Sequence, residues 1–151
     1  MRQEIIQVIS AAIGTGAFAL FFHVHLRHLP LAVVGGALSC ACYLLMWEAS
    51  ANIFFSSLLA SALICVWSEV TARLRKAPAN VFLIPGVIPI LPGSFLYYTM
   101  LAIVAKDMET FLARGLDTLQ ATFGIVVGIV IGSEIVRLAL SAKAQVKRQA
   151  N

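Results

Sequence analysis

The stretch from Ala77 to Ala105, APANVFLIPGVIPILPGSFLYYTMLAIVA, contains no Asp, Glu, Lys, Arg or His. About 20 apolar residues suffice to cross a bilayer core as a helix, and this run is longer than that. Its middle, however, reads Pro85-Gly86, Pro89 and Pro92-Gly93. Each proline lacks an N–H and clashes with the preceding turn, so one straight helix is not expected. Backbone that is this apolar and this broken is tolerated at membrane depth only where protein or a water-filled cavity surrounds the freed polar groups. Interrupted spans of this kind point to a transport site.

The rest of the chain supports a membrane setting. It is 60% hydrophobic and 12% charged, with a mean hydropathy of +0.92. A soluble domain carries about 25% charged residues, roughly twice as many. The net charge of +4 is not a nucleic-acid footprint, because the cations fall in short clusters between apolar runs rather than along one face. Cys40, Cys42 and Cys65 all lie inside apolar runs. They read as reduced packing residues, since a disulfide framework needs cysteines in loops on the oxidising side.

The expected architecture is an all-α bundle of five transmembrane helices in one domain, 1–151. The spans are about 5–22, 29–47, 51–68, 79–105 and 118–140, the fourth being the broken one. The first ends in Leu20-Phe21-Phe22 rather than in the small residues of a signal-peptide cleavage site, so it is kept as a mature span. Pro30 suits the first turn of the second, and Trp47 suits an interface. Glu48 marks a turn into the third. Lys106, Asp107, Glu109, Arg114 and Asp117 read as a mixed-charge loop before the fifth.

Charge decides whether the fourth run crosses or returns, because cytoplasmic loops carry the Lys/Arg excess. With five crossings and the C-terminus inside, the inner side holds Arg27, Arg73, Arg75, Lys76, Arg137, Lys143, Lys147 and Arg148. The outer side holds Arg2, Lys106 and Arg114. A re-entrant fourth run would distribute the cations almost evenly. The expected topology is therefore N-terminus outside and C-terminus inside. Small residues four apart, such as Gly124, Gly128 and Gly132, or Ala32, Gly36 and Cys40, predict close helix packing within lipid. An odd number of crossings also implies that a second such unit in one chain would be inverted. Inverted repeats are a common way to build alternating access, so a lone unit calls for a copy of itself or a partner.

Ser94 reads as the N-cap of a helix beginning after the break. That helix would present unpaired N–H groups and the positive end of its dipole to a carboxylate. The Gly86 and Gly93 backbones allow close approach. Tyr97, Tyr98 and Thr99 place hydroxyls near the same mouth. The expected site for a small anionic or zwitterionic solute is thus Pro85, Gly86, Pro89, Pro92, Gly93, Ser94, Tyr97, Tyr98 and Thr99; the competing reading is a kinked helix that merely packs. Glu134, inside the fifth span, is a candidate for proton or cation coupling, or else a partner for Arg137 three residues on. His23, His25 and His28 lack Cys or acidic companions, so no metal site is expected. No phosphate-binding loop, catalytic set or cofactor signature is visible, so the chain does not read as an enzyme.

The order Asn80, Pro85-Gly86, Pro89, Pro92-Gly93, Tyr97-Tyr98-Thr99-Met100 resembles the signature of the threonine/serine exporter family, in its small five-span subunit type. That resemblance implies an export system in the bacterial plasma membrane, with a larger membrane subunit of the same family as partner. It implies carboxyl-bearing substrates: threonine and serine in some branches, succinate-like dicarboxylates in others. A non-transporting scaffold subunit is the remaining alternative. Ser94-Phe95-Leu96 stands where a glycine-rich triplet is common in relatives, which implies a narrower site.

Overall fold

The computed structural model describes the backbone of residues 2–149 and the side chains of residues 3–142, and among them there is no strand. The helices are α1 (Arg2–Phe21), α2 (Leu29–Ser50), α3 (Ile53–Arg75), α4 (Asn80–Val87), α5 (Gly93–Val104) and α6 (Met108–Gln149), with a 3-10 turn at Ile88–Ile90 between α4 and α5. Four helices are long and apolar enough to cross a membrane, and α4 with α5 makes a fifth if the bent pair is one span.

The packing is inverted relative to a soluble protein. Small and hydroxylated residues are buried, including Thr15, Ala32, Ser39, Ser56, Ser57, Ala60, Ser61 and Ser68. Large apolar side chains face outward, as on α1, where Ile5, Ile9 and Ile13 are 61%, 53% and 70% exposed. Lipid offers no hydrophobic reward for hiding leucine, so close backbone approach drives association instead. A Cβ at Gly124 would fall 2.6 Å from Phe54 O, and one at Gly132 would fall 2.8 Å from Ala62 O. One at Gly128 would overlap Ser61 Oγ and Leu58 O. The glycine stripe of α6 therefore lies flat on α3. The matching order of contacts along both helices shows that they run parallel.

Chain direction follows from the residues that share a level. Ala19 near the end of α1, Ala32 near the start of α2, Ala72 near the end of α3 and Phe82 near the start of α4 form one buried cluster. Ala60, Ile90 and Ile125 form another, with Tyr43 of α2 packed against it. Thus α1, α3 and α6 run one way, and α2 and α4 the other. The bend between α4 and α5 is 50°. A deflection of that size carries the chain onward, whereas a re-entrant loop must reverse it. The described chain begins at one end of the bundle and finishes at the other.

Several boundaries differ from the sequence reading, for identifiable reasons. Glu48 does not turn the chain. α2 continues to Ser50 and ends at Ala51, which adopts the left-handed conformation (φ 48°) and returns its N–H to Trp47 O. Asn52 then caps α3, its Oδ1 accepting from the N–H of Phe54 at 3.0 Å and of Phe55 at 3.4 Å. α3 runs past Ser68 to Arg75, where Lys76 takes the left-handed conformation and returns its N–H to Ala72 O and Arg73 O, and Glu69 and Arg73 pair along the added turns at 3.1 Å. The expected mixed-charge loop is helical from Met108 onward. Asp107 caps it, accepting from Thr110 N–H at 3.1 Å, and the bonds from Thr110 hold the Asp107 carboxyl below the usual carboxylate range. Arg114 and Asp117 pair along this helix at 3.4 Å.

With 42 residues, α6 is about 63 Å long, twice the ~30 Å core. Arg114, Asp117 and Gln120 lie level with Ala51, Asn52 and Ile53. The first turns of α6 therefore reach past the α2–α3 turn, with α5 packed antiparallel on them. Among the described residues, α5 packs on α6 and on no other helix.

Candidate functional site

The break is built from proline arithmetic. Pro85 and Pro89 supply no N–H, so Val81 O and Pro85 O lose their helical donors. The chain tightens into the 3-10 turn, where Leu91 N–H bonds Ile88 O at 3.2 Å, and Gly93 N–H then reaches Leu91 O at 2.8 Å. Pro92, not Ser94, occupies the N-cap position of α5, and no side chain caps that end. Ser94 sits inside the first turn because the first helical bond runs from Leu96 N–H to Pro92 O, at 3.0 Å. The N–H groups of Ser94 and Phe95 lie ahead of it, where an α-helix leaves its donors without intrahelical partners.

A cleft of about 610 Å³ opens beside this helix start. The first two turns of α1 supply Gln3, Glu4 and Gln7; the end of α2 supplies Tyr43, Trp47 and Glu48; the break supplies Pro89 to Pro92, Ser94 and Phe95. The Glu4 and Glu48 carboxyls come within hydrogen-bonding reach of each other at its rim. Trp47 and Phe95 also border a second pocket of about 440 Å³, which holds Asn52 and the Arg114–Asp117 pair. The cleft thus offers amide donors and carboxyl groups together, a surface that can hold a small solute bearing both charges.

The structure divides the nine residues nominated from the sequence. Pro89, Pro92 and Ser94 line the cleft. Pro85 and Gly86 are buried in the bundle, one helical turn deeper. A Cβ at Gly86 would meet Ile64 Cδ1 at 2.5 Å, so its missing side chain serves helix packing. A Cβ at Gly93 would meet nothing within 4 Å. Tyr97 and Tyr98 are exposed and stack edge-on with each other at 5.4 Å, outside the cleft. Thr99 is buried against α6, its Oγ1 donating to Phe95 O at 2.7 Å and lying 3.4 Å from Thr118 Oγ1.

Glu134 stands elsewhere. Along α6 it is 13 residues, or roughly 20 Å, from the cleft residue Ala121. It pairs with Arg137 at 3.5 Å, both side chains exposed, in a groove shared with the Glu69–Arg73 pair at the other end of the bundle. The histidines lie at that end too: the His28 ring meets Phe82 edge-on at 5.6 Å, and His25 Nδ1 accepts from Arg27 N–H at 3.2 Å. Among the described residues no cluster of three His, Cys, Asp or Glu is placed to hold a metal ion.

Sequence reasoning missed Gln3, Glu4, Gln7, Tyr43, Trp47 and Glu48 as cleft residues. The usable signal was topological: in an alternating bundle the start of span one and the end of span two share a side, and both carry a glutamate there.

Comparison with known families settles the broader class. Residues 7–135 match the family described as Threonine/Serine exporter, ThrE. The chain belongs to the threonine/serine exporter family. The matched stretch contains α2 through α5 entire, and so the whole proline break of this exporter-family chain. Gln3 and Glu4 lie just ahead of it. No solved structure matches the chain. Family membership and the apolar helices together make this a multi-pass membrane protein of a transporter family, and its all-α bundle is the scaffold on which the cleft is built.

Proposed function

We propose that this chain is a subunit of a secondary exporter of small carboxyl-bearing metabolites, threonine and serine first among them. In this reading the solute binds in the cleft beside the proline break. The observation that carries it is the coincidence of a helix start with open first-turn donors, a cleft of about 610 Å³ and a ring of polar side chains at one place in a family of exporters. The donors suit the solute's carboxylate. Glu4 and Glu48 suit its ammonium and oppose a second negative charge, which favours amino acids over succinate-like dicarboxylates.

The chain works beside a larger exporter-family subunit in the bacterial plasma membrane, with its N-terminus outside. Coupling to a proton has two candidate carriers. Glu134 is the one nominated from the sequence. The Glu4–Glu48 pair has the advantage of sharing the solute's cavity.

The test is efflux of labelled threonine and labelled succinate from proteoliposomes holding this chain with and without the larger subunit. Ser94→Asp puts a carboxylate into the cleft while suiting a helix first turn. It is expected to stop threonine efflux without loss of inserted protein. Efflux at the unmodified rate in Ser94→Asp removes the cleft as the solute site. Transport that needs the complex yet tolerates every substitution in the cleft favours the scaffold reading.

A further inference from the structure

Gly86 O has no donor in its own segment. Three residues on stands Pro89, which has no N–H, and among the described residues no backbone N–H from beyond α4 bonds Gly86 O. A buried carbonyl in that position needs a partner from elsewhere. Ser39 of α2 supplies it: its Oγ donates to Gly86 O at 2.8 Å and lies 2.9 Å from its own-helix acceptor Gly36 O. Ser39 is fully buried. Around this bond Ile64 Cδ1 fills the hollow left by Gly35 and Gly86, so α4 is seated on α2 and α3 at this point. One helical turn further along, on α2 and on the broken segment, come Tyr43 and Ile90, both lining the cleft.

We propose that Ser39 is the clasp that seats the broken segment and thereby sets the shape of the cleft, as a positioning residue whose hydroxyl can exchange Gly86 O for Gly36 O. A hydroxyl has one proton to donate. Seated, it serves Gly86 O. If the break shifts, the same proton turns to Gly36 O, which is already in range, so Ser39 itself is never stranded. Only Gly86 O loses its donor, and water entering a widened cleft can answer it. The clasp is therefore easy to release from the α2 side, as a segment that moves during transport requires. Its consequence for solute affinity rests on the cleft reading above; its effect on the break does not.

The experiment is hydrogen exchange of the whole protein in lipid nanodiscs, comparing unmodified protein with Ser39→Ala and Ser39→Cys. Ser39→Ala removes one oxygen and favours helix, so the bundle is expected to assemble. Amides of residues 87–95 should exchange about tenfold faster in Ser39→Ala, the scale of one lost net hydrogen bond. Ser39→Cys, a weak donor, should fall between. Peptides from α1, α3 and α6 should not change. Exchange at residues 87–95 within about twofold of the unmodified protein overturns the proposal, and so does an equal acceleration in every helix, which would make Ser39 a general packing residue. In efflux assays Ser39→Ala should raise the apparent KM for the solute more than it lowers the maximal rate per inserted protein, a split that simple misfolding does not give. If exchange responds as stated and no Ser39 variant changes KM, the clasp stands and the cleft loses its role as the solute site.

Discussion

Gly86→Ala separates packing from binding at a residue that the sequence nominated for binding. The new Cβ would lie 2.5 Å from Ile64 Cδ1 and 2.7 Å from Ile64 Cγ1. Carbon atoms settle about 3.5–4.0 Å apart, so Ile64 must retreat by about 1 Å. It has little room to do so, because it is fully buried and its far end already fills the hollow at Gly35, with the Trp67 ring alongside. Overpacking of this kind costs about 1–3 kcal/mol. The better helix propensity of alanine returns up to about 1 kcal/mol. The expected net loss is about 1–2 kcal/mol, read from reversible unfolding in detergent followed by tryptophan fluorescence. Ile64→Ala alone leaves a cavity and is expected to cost about 2–5 kcal/mol. The double variant should lose less than the sum, because truncating Ile64 makes the room that the added methyl group needs. A favourable coupling of about 1–2 kcal/mol is expected, which brings the double variant to about the stability of Ile64→Ala alone, and its threonine efflux should match that of Ile64→Ala. Additivity within about 0.5 kcal/mol would refute the steric account, and efflux in the double variant well below that of Ile64→Ala at equal stability would return Gly86 to the solute.

Three further outcomes follow from the structure. Asn52→Ala removes both side-chain bonds to the start of α3 and should lower stability by about 1 kcal/mol in the same unfolding assay, whereas Asn52→Asp should not. The depressed Asp107 carboxyl stabilises the start of α6 fully above the carboxylate's unfolded-state range and loses that contribution as pH falls through its lower folded value, so the protection of amides 108–111, taken relative to the intrinsic exchange rate at each pH, should fall only below about pH 4; Asp107→Asn should make that protection independent of pH in this range. Glu48→Gln and Glu134→Gln should differ in the pH dependence of threonine efflux: a flattened profile in Glu134→Gln alone assigns coupling to Glu134, and one in Glu48→Gln alone assigns it to the cleft pair.

The helical bundle was legible because its signals are local. Apolar runs of span length, prolines and glycines inside the fourth run, and glycines four apart on α6 each carry their meaning within one segment. Chain ends of helices were harder. The charges from Lys106 to Asp117 read as a loop because their number is conspicuous, yet Arg114 and Asp117 are spaced to pair on a helix surface and Asp107 is placed to cap it. The cleft was legible only in part. Pro89, Pro92 and Ser94 line it because the break itself makes the opening. Which face of the break looks inward depends on how α4 seats against α2 and α3, and that seating rests on Ile64 and Ser39, neither of which carries a signal in its own neighbourhood. The same is true of Glu4 and Glu48, which meet only after α1 and α2 have paired.

The most extensive helix–helix contact in the molecule joins α3 to α6, two helices that point the same way and are separated in the chain by the entire broken segment. Parallel neighbours cannot be joined by a tight turn, so the proline-broken excursion is also the connection that lets them meet. During synthesis the serine-bearing side of α3, with Ser57 and Ser61, must wait facing lipid until the last helix arrives to cover it. A chain stopped short of Gly124 would lack the element that closes the bundle, and its earlier helices would form an open sheath rather than a smaller version of the finished protein.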